Sequence, residues 1–385
     1  MRRRKLPLAW LQLKREVVRL AVALSGIGFA VILIFMEYGF EDSLYDSNTR
    51  LHQQLSGEIV LTNPQTRGLV TLQHFPRERL HQARAVPGVD TAHPLYIDFA
   101  YWKNSETQQK YAIYILGFDP AKPVFDLPEV SQNLSQIQQM DTVLFDRASR
   151  HEFGPIPTLL EEGQSVVREV ADRQVSVGGL FTIGTSFAAD GTLITSDLNF
   201  MRLLPSRHLD EVDLGIVSLQ PGVAPEAVQA SLQAKLGDEV KVLTRQEFID
   251  LEKAYWSDGT AIGFIFDLGV FMGLFVGTVV VYQILYSDVS DHLAEYATLK
   301  AVGFSDRYLL NVVLKEALIL AVLGYVPGFA IATILYQLTR SATLLPIGMT
   351  VARAVWVLFL TIGMCLSSGG IAVRRLHNAD PADIF

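Results

Sequence analysis

Six histidines, His52, His74, His81, His93, His151 and His208, fall in one long stretch of the chain. Histidine is the commonest metal ligand, but ligands on one helix need a spacing of three or four. None of the six stands at H-x₃-H spacing, and no H-E-x-x-H occurs. His151-Glu152 lacks its second histidine, so all six are read as satisfied surface residues. Gly184-Thr185-Ser186 fails the G-x-S-x-G pattern of a nucleophile elbow and reads as a turn. The carboxylates are too numerous for any pair to stand out as a glycosidase couple. No G-x-x-x-x-G-K-[ST] occurs, so the chain encodes no P-loop for ATP. This pattern points to a non-catalytic chain without a cofactor or metal of its own, one that binds, moves or transmits.

Other spacings are more specific. Gly269, Gly273 and Gly277 form two overlapping G-x-x-x-G repeats, with Gly263 upstream. Four-residue spacing places them on one helix face and lets another backbone approach. That face fits packing within one chain or a seam between two copies. Gly324 and Gly328 repeat the spacing around Pro327, a helix-kinking residue. Asp267 reads as an acid at a membrane interface rather than a buried functional group. Residues 290–305 begin as a short helix with Leu293, Tyr296, Ala297 and Lys300 on one face, and Gly303 is placed to end it. Their mixture of apolar and charged residues suits a docking element for a cytosolic partner.

The elements that carry these residues follow from hydropathy. Half of the 385 residues are hydrophobic and only 19% are charged. Mean hydropathy is +0.27. These values exclude a disordered chain and disfavour a soluble enzyme. The single Cys, Cys365, excludes an intrachain disulfide. Four stretches are long enough to cross a bilayer: Leu20–Met36, Leu268–Ser287, Ala317–Thr339 and Ala354–Val373, each free of charge. The flank Glu37-Tyr38-Gly39-Phe40 offers no small-x-small cleavage site, so the first reads as an uncleaved anchor. Seven Lys/Arg against one acid in residues 1–19 place that end in the cytoplasm. Arg340 and Arg353 then stand on the side the rule disfavours.

The expected fold is an α-helical membrane protein with four transmembrane helices and a large α+β periplasmic domain. Its parts are a cytoplasmic amphipathic segment (1–19), a first span (20–40), the periplasmic domain (41–259) and a second span (260–287). A cytoplasmic loop (288–316), a third span (317–339), a short periplasmic loop (340–353), a fourth span (354–373) and a cytoplasmic tail (374–385) follow. Both termini are cytoplasmic, and membrane lipid is the surrounding partner.

Residues 41–259 carry 18 Lys/Arg against 30 Asp/Glu, and this acidity argues against nucleic acid. A strand–helix–strand unit occurs twice. It is built first from Glu58–Leu61, Pro76–Ala85 and Ala92–Tyr101, with Lys110–Leu116 beyond a turn at Lys103–Thr107. It is built again from Leu214–Leu219, Pro225–Leu236 and Val240–Leu243. The helix Pro225–Leu236 sets Ala227, Val228, Leu232 and Leu236 on one stripe. Residues 41–118 and 206–259 therefore read as an α+β lobe, and 119–205 as a β-rich insertion. Glu247–Tyr255 reads as a helix leading into the second span.

The run Glu295-Tyr296-Ala297-Thr298-Leu299-Lys300-Ala301-Val302-Gly303-Phe304 resembles the coupling segment of MacB/FtsX-type ABC transporter permeases. Arg374-Arg375-Leu376 followed by Asp380-Pro381-Ala382 resembles that family's ending, and the one-plus-three span layout matches. Within it the chain looks most like the DevC subfamily of glycolipid-exporter permeases. Pro7–Leu13, Tyr45-Asp46-Ser47, Arg50-Leu51-His52, Val143–Asp146, Phe153-Gly154-Pro155 and Tyr282–Tyr286 carry that likeness. The resemblance covers essentially the whole chain.

It implies a homodimer with two cytosolic ABC ATPases, which would bind the ATP and Mg. Leu293, Glu295, Tyr296, Leu299, Lys300, Gly303 and Phe304 would dock on the ATPase. The second span, continued as a stalk, would pass the ATPase motion to the porter-like periplasmic lobe by mechanotransmission. That lobe would meet a periplasmic adaptor and a TolC-like channel, exporting glycolipid or another amphiphile across the envelope from the inner membrane. An FtsX-like regulator of cell-wall hydrolases or a lipoprotein-releasing permease would share the layout.

Overall fold

The computed structural model describes residues 17–377 apart from 296, 297, 299–301 and 304. Among the described residues, four helices are long and apolar enough to cross a membrane. They run Val17–Gln53, Ala261–Asp291, Asp306–Thr343 and Val351–His377, each longer than the apolar run that marks it. The chain divides into two compact units. A helical bundle holds residues 1–42, 262–342 and 347–385, and an inserted domain holds 43–261 and 343–346. Together they make an α-helical membrane protein with a large inserted domain of mixed α and β structure.

The bundle packs around Ile27, Val31, Ile34, Phe35, Val281, Leu285, Leu320 and Val357. The side chains that remain exposed on its helices are also apolar, among them Phe264, Phe271, Phe275, Ile334 and Phe359. In water such faces would be an aggregation hazard, and in hydrocarbon they cost nothing. Asp267 is exposed on this apolar helix. The third helix continues through Pro327.

The inserted domain holds eleven strands among the described residues. They are β1 (Ile59–Thr62), β2 (Phe75–Pro76), β3 (Val89–Lys103), β4 (Lys110–Phe118), β5 (Thr142–Asp146) and β6 (Val167–Val170). Then come β7 (Arg173–Phe181), β8 (Thr192–Ser196), β9 (Glu211–Val212), β10 (Leu214–Leu219) and β11 (Lys241–Thr244). Nine of them line up in the order β11-β1-β10-β3-β4-β8-β5-β7-β6, and β2 pairs β9 apart from them. The fifteen-residue β3 joins two halves of the sheet. Its residues up to Leu95 pair with β10, and those from Tyr96 pair with β4.

Both faces of the sheet are covered. Ile59, Leu61, Ile113, Ile115, Val143 and Phe145 enter one core, while Val60, Tyr114, Leu116 and Leu144 enter the other. Successive side chains point to opposite faces, so strands buried on both faces become apolar runs without polar alternation.

The expected division at 118/119 differs from the strand pairing. The change of partners falls inside β3, at Leu95/Tyr96, so β4 belongs with the strands of 142–196. That middle region also contains helices at Pro128–Gln132, Leu134–Ile137, Ile156–Glu161 and Asp197–Leu203, more than a β-rich reading expects. The helix Pro225–Leu236 buries Val228, Leu232 and Leu236 but leaves Ala227 exposed. The helix Arg245–Ser257 starts from a capping box, in which the Thr244 hydroxyl accepts from the Glu247 N–H and the Glu247 carboxylate accepts from the Thr244 N–H. It stops at Ser257, and the second spanning helix begins at Ala261. The spanning helix that continues without a break is the first one, which reaches Gln53.

Candidate functional site

The segment expected to dock a partner lies where the second spanning helix ends. Arg19 of the first helix reaches that end: its guanidinium donates to Asp291 at 2.5 Å and to Ser287 at 3.3 Å, and lies 3.8 Å from Asp288. A cation at a helix C-terminus also meets the negative end of the helix dipole. His292 follows, with its N–H donating to the Asp288 carbonyl at 3.1 Å. Leu293 is half-buried against Val289, Val313 and Val373, whereas Glu295 is exposed. The Thr298 hydroxyl donates to the Ala294 carbonyl at 2.8 Å, and the Val302 N–H to the Thr298 carbonyl at 3.0 Å. Gly303 has φ +101°, the left-handed conformation that closes a helix and that side chains with a Cβ disfavour. Thus one apolar residue anchors the segment, one acid is presented to solvent, and a glycine stops it. Tyr296, Leu299, Lys300 and Phe304 of the proposed docking set lie outside the described residues, as do residues 1–16 and Asp380-Pro381-Ala382.

The three repeat glycines of the second spanning helix face inward, within the chain. A Cβ on Gly269 would collide with Glu37. One on Gly273 would lie 3.0 Å from Ile34 Cγ1, and one on Gly277 would lie 2.8 Å from Ala30 Cβ and against Met364. The first helix therefore fills the groove that a second copy would need. The exposed face of this helix carries Phe264, Leu268, Phe271, Met272 and Phe275 instead. Gly324 and Gly328 receive the first helix in the same way: Cβ atoms there would lie 2.7 Å from Ile27 Cβ and 2.8 Å from Val31 Cβ.

Arg353, which the charge rule disfavours at its position, is only 7% exposed and is paired. Its Nε donates to Asp42 at 3.1 Å and its Nη1 to the Gly348 carbonyl at 2.7 Å, while its guanidinium lies over the Tyr336 ring at 5.4 Å. The Tyr336 hydroxyl donates to the Phe35 carbonyl. These contacts tie the first, third and fourth helices together.

In the inserted domain, sequence reasoning missed two buried clusters of polar side chains. Asp213 is fully buried and takes His74 Nδ1 at 2.6 Å, Arg207 Nη2 at 2.7 Å and the Ile97 N–H at 2.8 Å. Arg207 also donates to Asp98 at 2.9 Å. The Asp213 hydrogen bond holds the His74 pKa above its ordinary value, against the opposing effect of burial. Burial works against the charge on Arg207, but the carboxylates of Asp213 and Asp98 outweigh it and raise its pKa. The second cluster joins His52 to Glu252, with Nε2 3.6 Å from Oε2. The surface reading of the histidines is therefore wrong for His52, which is 0% exposed, while His93 is half-buried with its Nδ1 enclosed. The sequence offered one signal: Leu44, Asn48, Leu51, His52 and Leu55 recur at helical spacing beyond the first apolar run, and all are buried. Gly184-Thr185-Ser186 lies in an irregular segment after β7, and Asp146 accepts the Gly184 N–H at 2.7 Å. Among the described residues, no group of three His, Cys, Asp or Glu could hold a metal ion.

Residues 268–381, which begin within the second spanning helix, match the FtsX-like permease C-terminal family model. An uncharacterized ABC transporter permease of Mycobacterium tuberculosis, present in two strains, is 23% identical over 312 residues, which is 81% of this chain and 79% of the relative. The periplasmic region of MacB from Actinobacillus actinomycetemcomitans aligns over 51% of this chain and 92% of its own, at 8% identity and TM-score 0.35. The extracellular domain of YknZ, a noncanonic ABC-type transporter of Gram-positive bacteria, aligns over 48% and 99%, at 12% identity and TM-score 0.33.

Proposed function

We propose that the chain is the permease subunit of an ABC exporter, a non-catalytic membrane component that works with a separate cytosolic ATPase. The observation that carries this reading is the FtsX-like permease match over the last three helices. The connector between two of those helices presents Glu295 to solvent and turns at Gly303, whose left-handed backbone suits glycine, an arrangement compatible with a docking element. The name of the mycobacterial relative supports the same class.

In this reading residues 288–305 dock on the ATPase, and ATP and Mg bind there rather than on this chain. ATPase closure moves the spanning helices, and the first helix, unbroken to Gln53, carries that motion outward. The inserted domain is periplasmic and meets an adaptor that leads to a TolC-like channel. A second copy of the chain completes the assembly in the inner membrane. Because Gly269, Gly273 and Gly277 are occupied by the chain's own first helix, that copy meets the exposed Phe264–Phe275 face instead. The cargo is a glycolipid or another amphiphile, as in the DevC subfamily.

Two substitutions test the coupling. Glu295→Arg reverses the exposed charge, and Gly303→Trp imposes a bulky residue on a left-handed backbone. Both variants are expected to insert normally, yet to lower ATPase co-purification and export by at least about tenfold, a loss equal to about 1.4 kcal/mol of docking energy. Wild-type levels of both from both variants would refute the docking role.

A further inference from the structure

Glu252 is an acid 1% exposed inside the inserted domain, on the last helix before the second span. Burying a carboxylate is costly unless several donors face it. Its Oε2 accepts the Leu69 N–H at 2.8 Å, and its Oε1 accepts the Trp256 indole N–H at 2.8 Å. A Cβ on Gly68 would lie 3.0 Å from Oε2 and 3.1 Å from Tyr255 Cγ, so the Leu69 turn approaches this closely because residue 68 is glycine. His52, from the last turn of the first helix, lies beside it and packs on Phe248 with ring centroids 4.4 Å apart.

The protein leaves polar capacity unused around this acid. The Tyr114 hydroxyl is buried and has no hydrogen-bond partner among the described residues, and neither does either ring nitrogen of His52. Tyr114 and Glu252 line a partly open cavity of about 30 Å³, in which Ser47, Asn48 and Ser186 stand among apolar neighbours such as Leu51, Leu69 and Ile183. A water needs roughly 10–15 Å³ measured in this way and two to four polar neighbours, whereas apolar cavities of similar size stay dry. Unmet buried polar groups are rare in folded proteins, and those that occur usually face an internal water.

We propose that this cavity is an internal hydration site, in which about two waters bridge the Tyr114 hydroxyl, the Glu252 carboxylate and the polar side chains of Ser47 and Asn48. Glu252 is then a positioning residue. It fastens the helix on which the chain enters the inserted domain to the helix on which it leaves, with the Leu69 turn and β4 held in the same network. The inference concerns the inserted domain alone and stands apart from the transport reading.

Tyr114→Phe gives the sharpest test, because it removes one oxygen and keeps the ring stacked on Phe99. If waters bridge the hydroxyl, the folding equilibrium constant of the full chain in detergent falls about fivefold. The double variant Tyr114→Phe/Glu252→Gln then loses less than the product of the two single effects, since both act on shared waters. A dry cavity predicts the reverse: deleting an unsatisfied hydroxyl leaves stability equal or higher. That result, or independent effects in the cycle, would overturn the proposal. A crystal structure of the full chain adds a measurement free of folding yield. Ordered water within 3.2 Å of Tyr114 Oη is expected, and a dry site contradicts it.

Discussion

Asp213 shows how a single residue can organise a region. It is fully buried, yet it faces a guanidinium, an imidazole and a backbone N–H at 2.6–2.8 Å. Removing one partner of such a pair leaves the other charged and dry. Asp213→Ala is therefore expected to cost about 3–5 kcal/mol, read from chemical denaturation of the full chain. A loss under about 1 kcal/mol would mean that Arg207 finds water instead. His74 adds a pH dependence. Its pKa is raised in the folded protein, first by the Asp213 hydrogen bond, so its protonated form favours the fold. That contribution is complete below the unfolded value of about 6.5 and is lost as pH rises through the folded value. The stability gap between wild type and His74→Gln should therefore shrink as pH rises through and above 6.5. A gap that widens would give the pair the opposite sign. None of this was legible in the sequence, because His74 and Asp98 come from parts of the chain distant from the segment that carries Arg207 and Asp213. Their pairing depends on strand order, which periodicity does not encode.

At the level of elements, the spanning helices and five of the eleven described strands, β1, β3, β4, β10 and β11, were legible because each follows from a local pattern. A charge-free run marks a span, and a run of β-branched and aromatic residues bounded by turn signals marks a strand. The reach of the first helix to Gln53 was missed because its sequence turns polar after Met36, which ends the hydropathy signal while helical spacing persists. The face of the repeat glycines was also ambiguous, since G-x-x-x-G invites any close helix. Geometry assigns it to the first helix, at Ala30 and Ile34. Gly277→Leu would force that crossing apart and overpack the bundle, at a cost of about 1–3 kcal/mol or more. Reduced folded yield and a lower melting temperature are expected, with Gly363→Leu as the control, because a Cβ on Gly363 meets nothing within 4 Å. Equal loss in both variants would show a general intolerance of bulk rather than a specific crossing.

As a whole, the molecule combines a bundle of four apolar helices, whose last three overlap the FtsX-like permease match, with a mixed α/β domain formed by residues 43–261 and 343–346. The absence of ATP-binding motifs follows if hydrolysis belongs to a partner, and the connector around Glu295 and Gly303 is where that partner would press. In the proposed reading, the large inserted domain would supply the surface on which an adaptor docks. The most direct test is affinity purification of the chain from its native membrane in mild detergent, with mass spectrometry of its companions. The account predicts an ABC ATPase together with a periplasmic adaptor. An ATPase with a cell-wall hydrolase and no adaptor would contradict the export reading, and recovery without any ATPase after crosslinking would contradict the permease reading itself.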